Sequence, residues 1–173
     1  DVYVINTCTV TSLSDKKSRQ FIRRSRKRNK DAVIAVVGCY SQVSPEEVSK
    51  IEEVDVILGT DNRNKIVEIC EDFLESKNRV NLVSDIMQVR DFEEMGIEEV
   101  EGKTRAFLKI QEGCNQYCSY CIIPYARGPI RSRKLDSIVN EVERLAKNGF
   151  KEIVLTGIHI ASYGKDLGEE RLI

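Results

Sequence analysis

Three short, uninterrupted apolar runs, "VYVI" (2–5), "AVIAVVG" (32–38) and "VDVILG" (54–59), constrain the fold of this 173-residue chain more than any other feature. Each is rich in Val and Ile and apolar at successive positions, the pattern of parallel strands buried on both faces. Helical segments separate the runs. Ser12 or Ser14 can cap a basic helix, Ser44 with Pro45 at the first helical position starts "PEEVSKIEE", and Asn62 or Asn64 starts a helix to about Leu74. The order β-α-β-α-β-α predicts a small doubly wound parallel sheet of the α/β class.

Residues 77–104 contain a short apolar piece, "RVNLV", and then an acidic stretch, and they read as a connector. After them the pattern restarts. "RAFLKIQ" (105–111) reads as a strand, a cysteine-rich loop follows, "LDSIVNEVERLAKNG" (135–149) reads as a helix, and "KEIVLTGIHI" (151–160) reads as another buried strand. Asp136 or Ser137 can cap that helix, and Gly149 stops it. Strand, loop, helix and strand make the start of an α/β barrel or open sheet. The chain opens on Asp1 directly into a strand and closes inside the second unit, so it is expected to be a fragment.

Composition narrows the classes. Hydrophobic residues make up 41% of the chain, no run approaches the roughly 18 apolar residues of a membrane span, and no leader pattern is seen, so no membrane partner and a cytoplasmic location are expected. Six cysteines in a reducing compartment point to ligands or catalysts rather than disulfides. The net charge of -1 conceals segregation: Lys16–Lys30 holds nine bases and no acid, whereas Asp91–Glu101 holds six acids and no base. The basic run is either a solvated helix face or a nucleic-acid contact.

Ligands of open α/β sheets gather beyond the carboxyl ends of the strands. Cys8 follows the first strand and Cys39 the second, so both reach one rim, where adjacent strands lie about 5 Å apart. Two loop cysteines are either inert or ligands of one metal centre. Cys70 falls on the apolar face of its helix with Ile66, Ile69, Phe73 and Leu74, and reads as core. Cys114, Cys118 and Cys121 form C-x3-C-x2-C in the loop after a strand. Zinc would need a fourth Cys or His, and the only histidine, His159, stands after a separate strand in no recognised ligand spacing. A [4Fe-4S] cluster on three cysteines instead leaves one iron open to a substrate or cofactor.

"CNQYCSYC" resembles the signature of the radical S-adenosylmethionine superfamily, and "TRAFLKIQEGCNQYCSYCIIPYARGPIRSR" resembles the methylthiotransferases within it. The first 75 or so residues, with "NTC" and "GC", resemble the amino-terminal domain of those enzymes. "RGPIRSR" followed by "EIVLTGIHIASYG" is most similar to the branch that methylthiolates threonylcarbamoyladenosine next to the anticodon of tRNA. The isopentenyladenosine branch and the branch acting on a ribosomal-protein aspartate are the alternatives; a zinc-bound RNA-binding module is the non-enzymatic one.

The resemblance implies an amino-terminal methylthiotransferase domain over 1–76, a connector over 77–104, and the first part of a radical S-adenosylmethionine partial barrel over 105–173. It implies two [4Fe-4S] clusters, one on Cys114, Cys118 and Cys121 and an auxiliary one on Cys8, Cys39 and a third ligand expected before Asp1. In the family, S-adenosylmethionine on the open iron yields the radical that replaces an adenine C–H by a methylthio group, with tRNA, a reducing electron donor protein and a sulfur source as partners. Tyr120 falls where the family packs the cofactor adenine, Gly157 where glycines approach its amino group, and Arg131 and Arg133 where a charge can hold its carboxylate or RNA phosphates. The fragment alone is expected not to turn over.

Overall fold

The computed structural model describes residues 1–9, 11–96 and 104–168. β1 (Val2–Thr7), β2 (Val33–Gly38), β3 (Val56–Ile57) and β4 (Val80–Asn81) form one all-parallel sheet in the order β1-β2-β3-β4. The wholly buried β2 explains the unbroken "VIAVVG": its alternate residues enter two separate cores. Ile34 and Val36 pack with Ile22 of α1 (Ser12–Arg28) and Val48 of α3 (Pro45–Ser49), whereas Val33, Ala35 and Val37 pack with Cys70, Ile66, Ile69 and Phe73 of α4 (Ile66–Ser76). Cys70 is therefore a core side chain, and burial pushes its thiol pKa up.

Local details differ from the sequence expectations for identifiable reasons. Thr11, not Ser12 or Ser14, caps α1, its hydroxyl accepting from Ser14 N–H at 3.2 Å. Cys39 starts a short helix, α2 (Cys39–Val43), rather than lying in an irregular loop, because Gly38 at φ +104 turns the chain directly from β2 into it. The segment after Asn62 begins with a 3₁₀ turn, Arg63–Lys65, before α4. β4 and a 3₁₀ turn at Ile86–Gln88 lie within the stretch expected as a connector; residues 97–101 of its acidic run lie outside the described residues.

The second sheet has the order β6-β5-β7: β5 (Arg105–Glu112) runs parallel to β7 (Glu152–Gly157) and antiparallel to β6 (Arg131–Ser132). α6 (Leu135–Lys147) covers one face, where Ile138 and Leu145 meet Ala106, Leu108 and Ile110. Its start at Leu135 shows no side-chain cap, because Ser137 is engaged by Arg133 and Glu94. Gly149 at φ +90 ends it.

The two units meet through α5 (Ile123–Arg127), which packs on α2. Thr60 Oγ1 donates to Ala126 O at 2.7 Å, and Gly128 sits so tightly against Ile86 that a Cβ there would lie 2.5 Å from Ile86 O. No helix among the described residues is long and apolar enough to cross a membrane.

Candidate functional site

The pairing of β1 with β2 puts Thr7 opposite Gly38, so Cys8 and Cys39, the next residue after each strand, both follow the paired carboxyl ends of neighbouring strands. Cys8 is exposed and Cys39 buried, and both are free thiols. Thr7 Oγ1 donates to Val37 O at 2.7 Å, which pins the end of β1 to β2 just before the two cysteines. An added Cβ at Gly38 would lie 2.5 Å from Thr7 O, so the approach of the two chain segments requires glycine.

Cys114, Cys118 and Cys121 occupy the loop at the carboxyl end of β5. The loop is closed by Cys114 N–H donating to Gly128 O at 3.1 Å and turned internally by Cys121 N–H donating to Cys118 O at 2.9 Å. Gly113 at φ +73 opens it, with no room for a side chain: a Cβ would sit 1.9 Å from Pro129 O. Gly113→Ala is therefore expected to dislocate the loop; in the full-length protein its iron content should fall well below wild type while far-ultraviolet circular dichroism is preserved. Tyr117 also takes a left-handed φ of +47. All three cysteines are free, Cys118 exposed and the other two half-buried.

Among the described residues no three His, Cys, Asp or Glu side chains are grouped closely enough to hold a metal ion. The donor chemistry nonetheless fits an iron–sulfur cluster: three free thiols share one short loop, and thiolates are the ligands such clusters take. Zinc is served poorly. His159 lies beyond β7 with Nδ1 2.7 Å from Ser162 Oγ, and it joins no group with the cysteines.

Beneath the loop lies a buried polar base that sequence reasoning missed. Gln111 is fully buried and spends both ends of its amide: Nε2 donates to Glu112 O (2.8 Å) and Gly113 O (2.7 Å), and Oε1 accepts from His159 N–H (2.7 Å). The ends of β5 and β7 are thus locked together directly before Cys114. Glu112, 3% exposed, takes Arg127 at 2.7 Å, Arg63 at 3.5 Å and Lys109. Burial alone would push its carboxyl pKa up; the charges of Lys109 and Arg127, with Arg63 behind them, outweigh it and hold the pKa below the usual carboxylate range. The one sequence signal was the polar Gln-Glu pair that continues the strand "RAFLKI" directly before the first loop cysteine.

The remaining sequence candidates are spread around this base. Gly157 pairs with Gln111, and a Cβ on it would lie 2.9 Å from the Gln111 side chain. Tyr120 points into solvent, 91% exposed. Arg131 is buried, donates to Pro129 O at 3.3 Å, and has its pKa lowered by burial. Arg133, also buried, donates to Ser137 Oγ (2.9 Å) and to Glu94 (3.0 Å), holding the first turn of α6. The structure therefore places the three loop cysteines beyond the end of β5 with Gly157 on the neighbouring β7, Cys8 and Cys39 beyond the paired ends of β1 and β2, and holds Arg133 in an internal ion pair.

Residues 1–59 match the family described as Uncharacterized protein family UPF0004, and residues 108–173 match the Radical SAM superfamily. Among curated relatives, the threonylcarbamoyladenosine tRNA methylthiotransferase MtaB of Bacillus subtilis is 50% identical over 167 residues, covering 96% of this chain and 37% of the relative. That of Aquifex aeolicus is 46% identical over 171 residues, covering 97% and 41%. A tRNA-2-methylthio-N(6)-dimethylallyladenosine synthase of Dictyoglomus thermophilum is 38% identical over 172 residues, covering 97% and 39%. The chain spans 37–41% of the length of these relatives.

Proposed function

We propose that the protein this chain forms part of, a member of the radical S-adenosylmethionine methylthiotransferase family, adds a methylthio group to C2 of N6-threonylcarbamoyladenosine next to the anticodon of tRNA. The observation that carries the reading is the loop of three free thiols, C-x3-C-x2-C, at the carboxyl end of β5, in a chain 50% identical to a relative named for that reaction. Identities of 50% and 46% to relatives with this name, against 38% to one named for the dimethylallyl nucleoside, favour the threonylcarbamoyl substrate.

In this reading Cys114, Cys118 and Cys121 hold one [4Fe-4S] cluster with an open iron, and Cys8 and Cys39 hold two positions of a second. The first cluster, when bound, supplies the electron that cleaves S-adenosylmethionine, and the hard chemistry belongs to the cofactors. The chain's own contribution is mechanical and electrostatic. Gly113 and Gly128 fold the loop back onto the rim, and Gln111 locks β5 to β7. Gly157 gives the cofactor backbone access, Tyr120 closes over its adenine, and Arg131 and Arg133 supply charge for its carboxylate, Arg133 exchanging Glu94 for it. Residues 1–76 and 105–173 form the two cluster-bearing domains, joined through 77–104. The partners are tRNA, a reducing electron donor protein and a sulfur source, in the cytoplasm.

The basic helix serves two purposes in this account. Arg26 is spent on the fold, donating to Ala32 O, Glu53 O and the Asp55 carboxylate, and Arg19 donates to Tyr40. Lys17, Arg24 and Lys27 instead line an open surface with the exposed Phe21, and we assign that face to the tRNA backbone. Replacing all three by Gln is expected to weaken tRNA binding and to lower the slope of log affinity against log salt by about 2–3, as loss of three phosphate contacts requires. A filter-binding salt series checks this.

The test of function uses full-length protein, reconstituted without oxygen, with S-adenosylmethionine, sulfide and a reductant, on tRNA bearing either hypermodified adenosine. Nucleoside mass spectrometry should show the methylthio product of threonylcarbamoyladenosine only when S-adenosylmethionine is present. Product on the dimethylallyl nucleoside alone would transfer the assignment to that branch.

A further inference from the structure

We propose that Arg127 is a positioning residue for the Cys39 sulfur, joining it to the base of the Cys114 loop through one guanidinium. Arg127 Nε donates to Cys39 Sγ at 3.1 Å while Nη1 donates to Glu112 Oε1 at 2.7 Å. The Cys39 sulfur, 88 residues from Arg127 in sequence, and the Glu112 carboxylate, two residues before Cys114, thus share a single side chain. The inference rests on the reading of Cys39 as a cluster ligand.

Every neighbouring contact fixes this side chain rather than leaving it a loose surface cation. Arg127 is the last residue of α5, which begins two residues after Cys121. Behind it Ala126 is buried, its carbonyl accepting from Thr60; ahead of it Gly128 turns at φ +70 against Ile86 and returns its N–H to Pro124 O at 2.8 Å. On the far side, Glu112 is buried and itself fixed by Lys109 and Arg63. A guanidinium presents N–H donors along diverging directions in one rigid plane, so it can satisfy a sulfur and a carboxylate together; an ammonium is a single point charge. Burial strengthens both bonds.

An N–H bond to a cluster-ligating thiolate draws charge from the sulfur and favours the reduced cluster, so the partner of a ligand tunes the potential. Arg127 accordingly sets the potential of the Cys39 cluster and fixes that cluster relative to the Cys114 loop. No contact of this kind reaches the sulfurs of Cys114, Cys118 or Cys121 among the described hydrogen bonds, so the effect is confined to one of the two centres.

The test is a redox titration, followed by electron paramagnetic resonance, of full-length reconstituted protein as wild type, Arg127→Gln, Arg127→Lys and Cys39→Ala. The centre of the Cys114 loop is identified as the one whose signal S-adenosylmethionine perturbs. In both Arg127 variants the other centre should titrate at a more negative potential, with the cofactor-responsive centre unmoved. Arg127→Lys, which keeps a cation against Glu112, should recover most of the thermal stability lost in Arg127→Gln without recovering the potential; a purely structural ion pair would recover both together. Unchanged potentials in both variants, beside iron loss in Cys39→Ala, would overturn the role of Arg127 alone. Undiminished iron in Cys39→Ala would overturn Cys39 as a ligand and the proposal with it.

Discussion

Cys118→Ala, in the full-length protein, is expected to remove about four irons per chain, the content of one [4Fe-4S] cluster, and to reduce cleavage of S-adenosylmethionine to background. Cys118 is the most exposed of the three loop cysteines and contributes nothing visible to the core, so the substitution should leave folding intact. The effect is all or none because two cysteines leave two irons of the cluster without protein ligands. Iron analysis and detection of 5′-deoxyadenosine check it. Cys70→Ala is the matching control. That residue lies in the core under α4, so its loss should lower stability modestly and leave the iron content unchanged.

The second large effect belongs to Glu112. Its carboxylate is the common partner of Lys109, Arg127 and Arg63, and it is itself almost wholly buried. Glu112→Gln preserves shape and removes the charge, leaving cations packed around a neutral amide. Breaking a buried ion pair from one side costs about 3–5 kcal/mol, most of it the desolvation of the charges left behind. Lys109 is one-third exposed and can turn toward water, so the lower end, about 3 kcal/mol, is expected. Thermal or urea unfolding of the full-length protein would register it. Because Arg127 also holds the Cys39 sulfur, Glu112→Gln and Arg127→Gln should be strongly non-additive in stability.

What the sequence made legible follows from how strongly each element is determined locally. β2 was readable because burial on both faces leaves an unbroken apolar run, and β1, β5 and β7 from their short Val-, Ile- and Leu-rich runs, although Val2, Val4, Phe107 and Leu155 in those three strands are exposed rather than buried. α4 and α6 were readable from their apolar stripes and α1 from its basic run and leading serines, with ends displaced by a few residues. α2, α5 and β6 left no trace, because five-residue helices and a two-residue strand are held by tertiary contacts rather than by their own periodicity. Among candidate residues, the placing of Cys8 and Cys39 directly after adjacent parallel strands could be read from the order of the strands. The burial of Arg133 against Glu94 could not, since Glu94 is 39 residues away and belongs to an acidic stretch that reads as solvated. Glu112 and Arg127 were invisible as a pair for the same reason: each is an ordinary charged residue until α5 folds across the end of β5.

The most direct measurement of the central claim is electron paramagnetic resonance of the dithionite-reduced, reconstituted full-length protein, with and without S-adenosylmethionine, alongside its iron and sulfide content. The account predicts two cluster signals. One should change shape when the cofactor is added and vanish in Cys118→Ala, and the other should be indifferent to the cofactor and vanish in Cys39→Ala. Stoichiometric zinc without sulfide, or cluster signals that the cofactor leaves unchanged, would contradict an open iron at "CNQYCSYC" and the chemistry built on it.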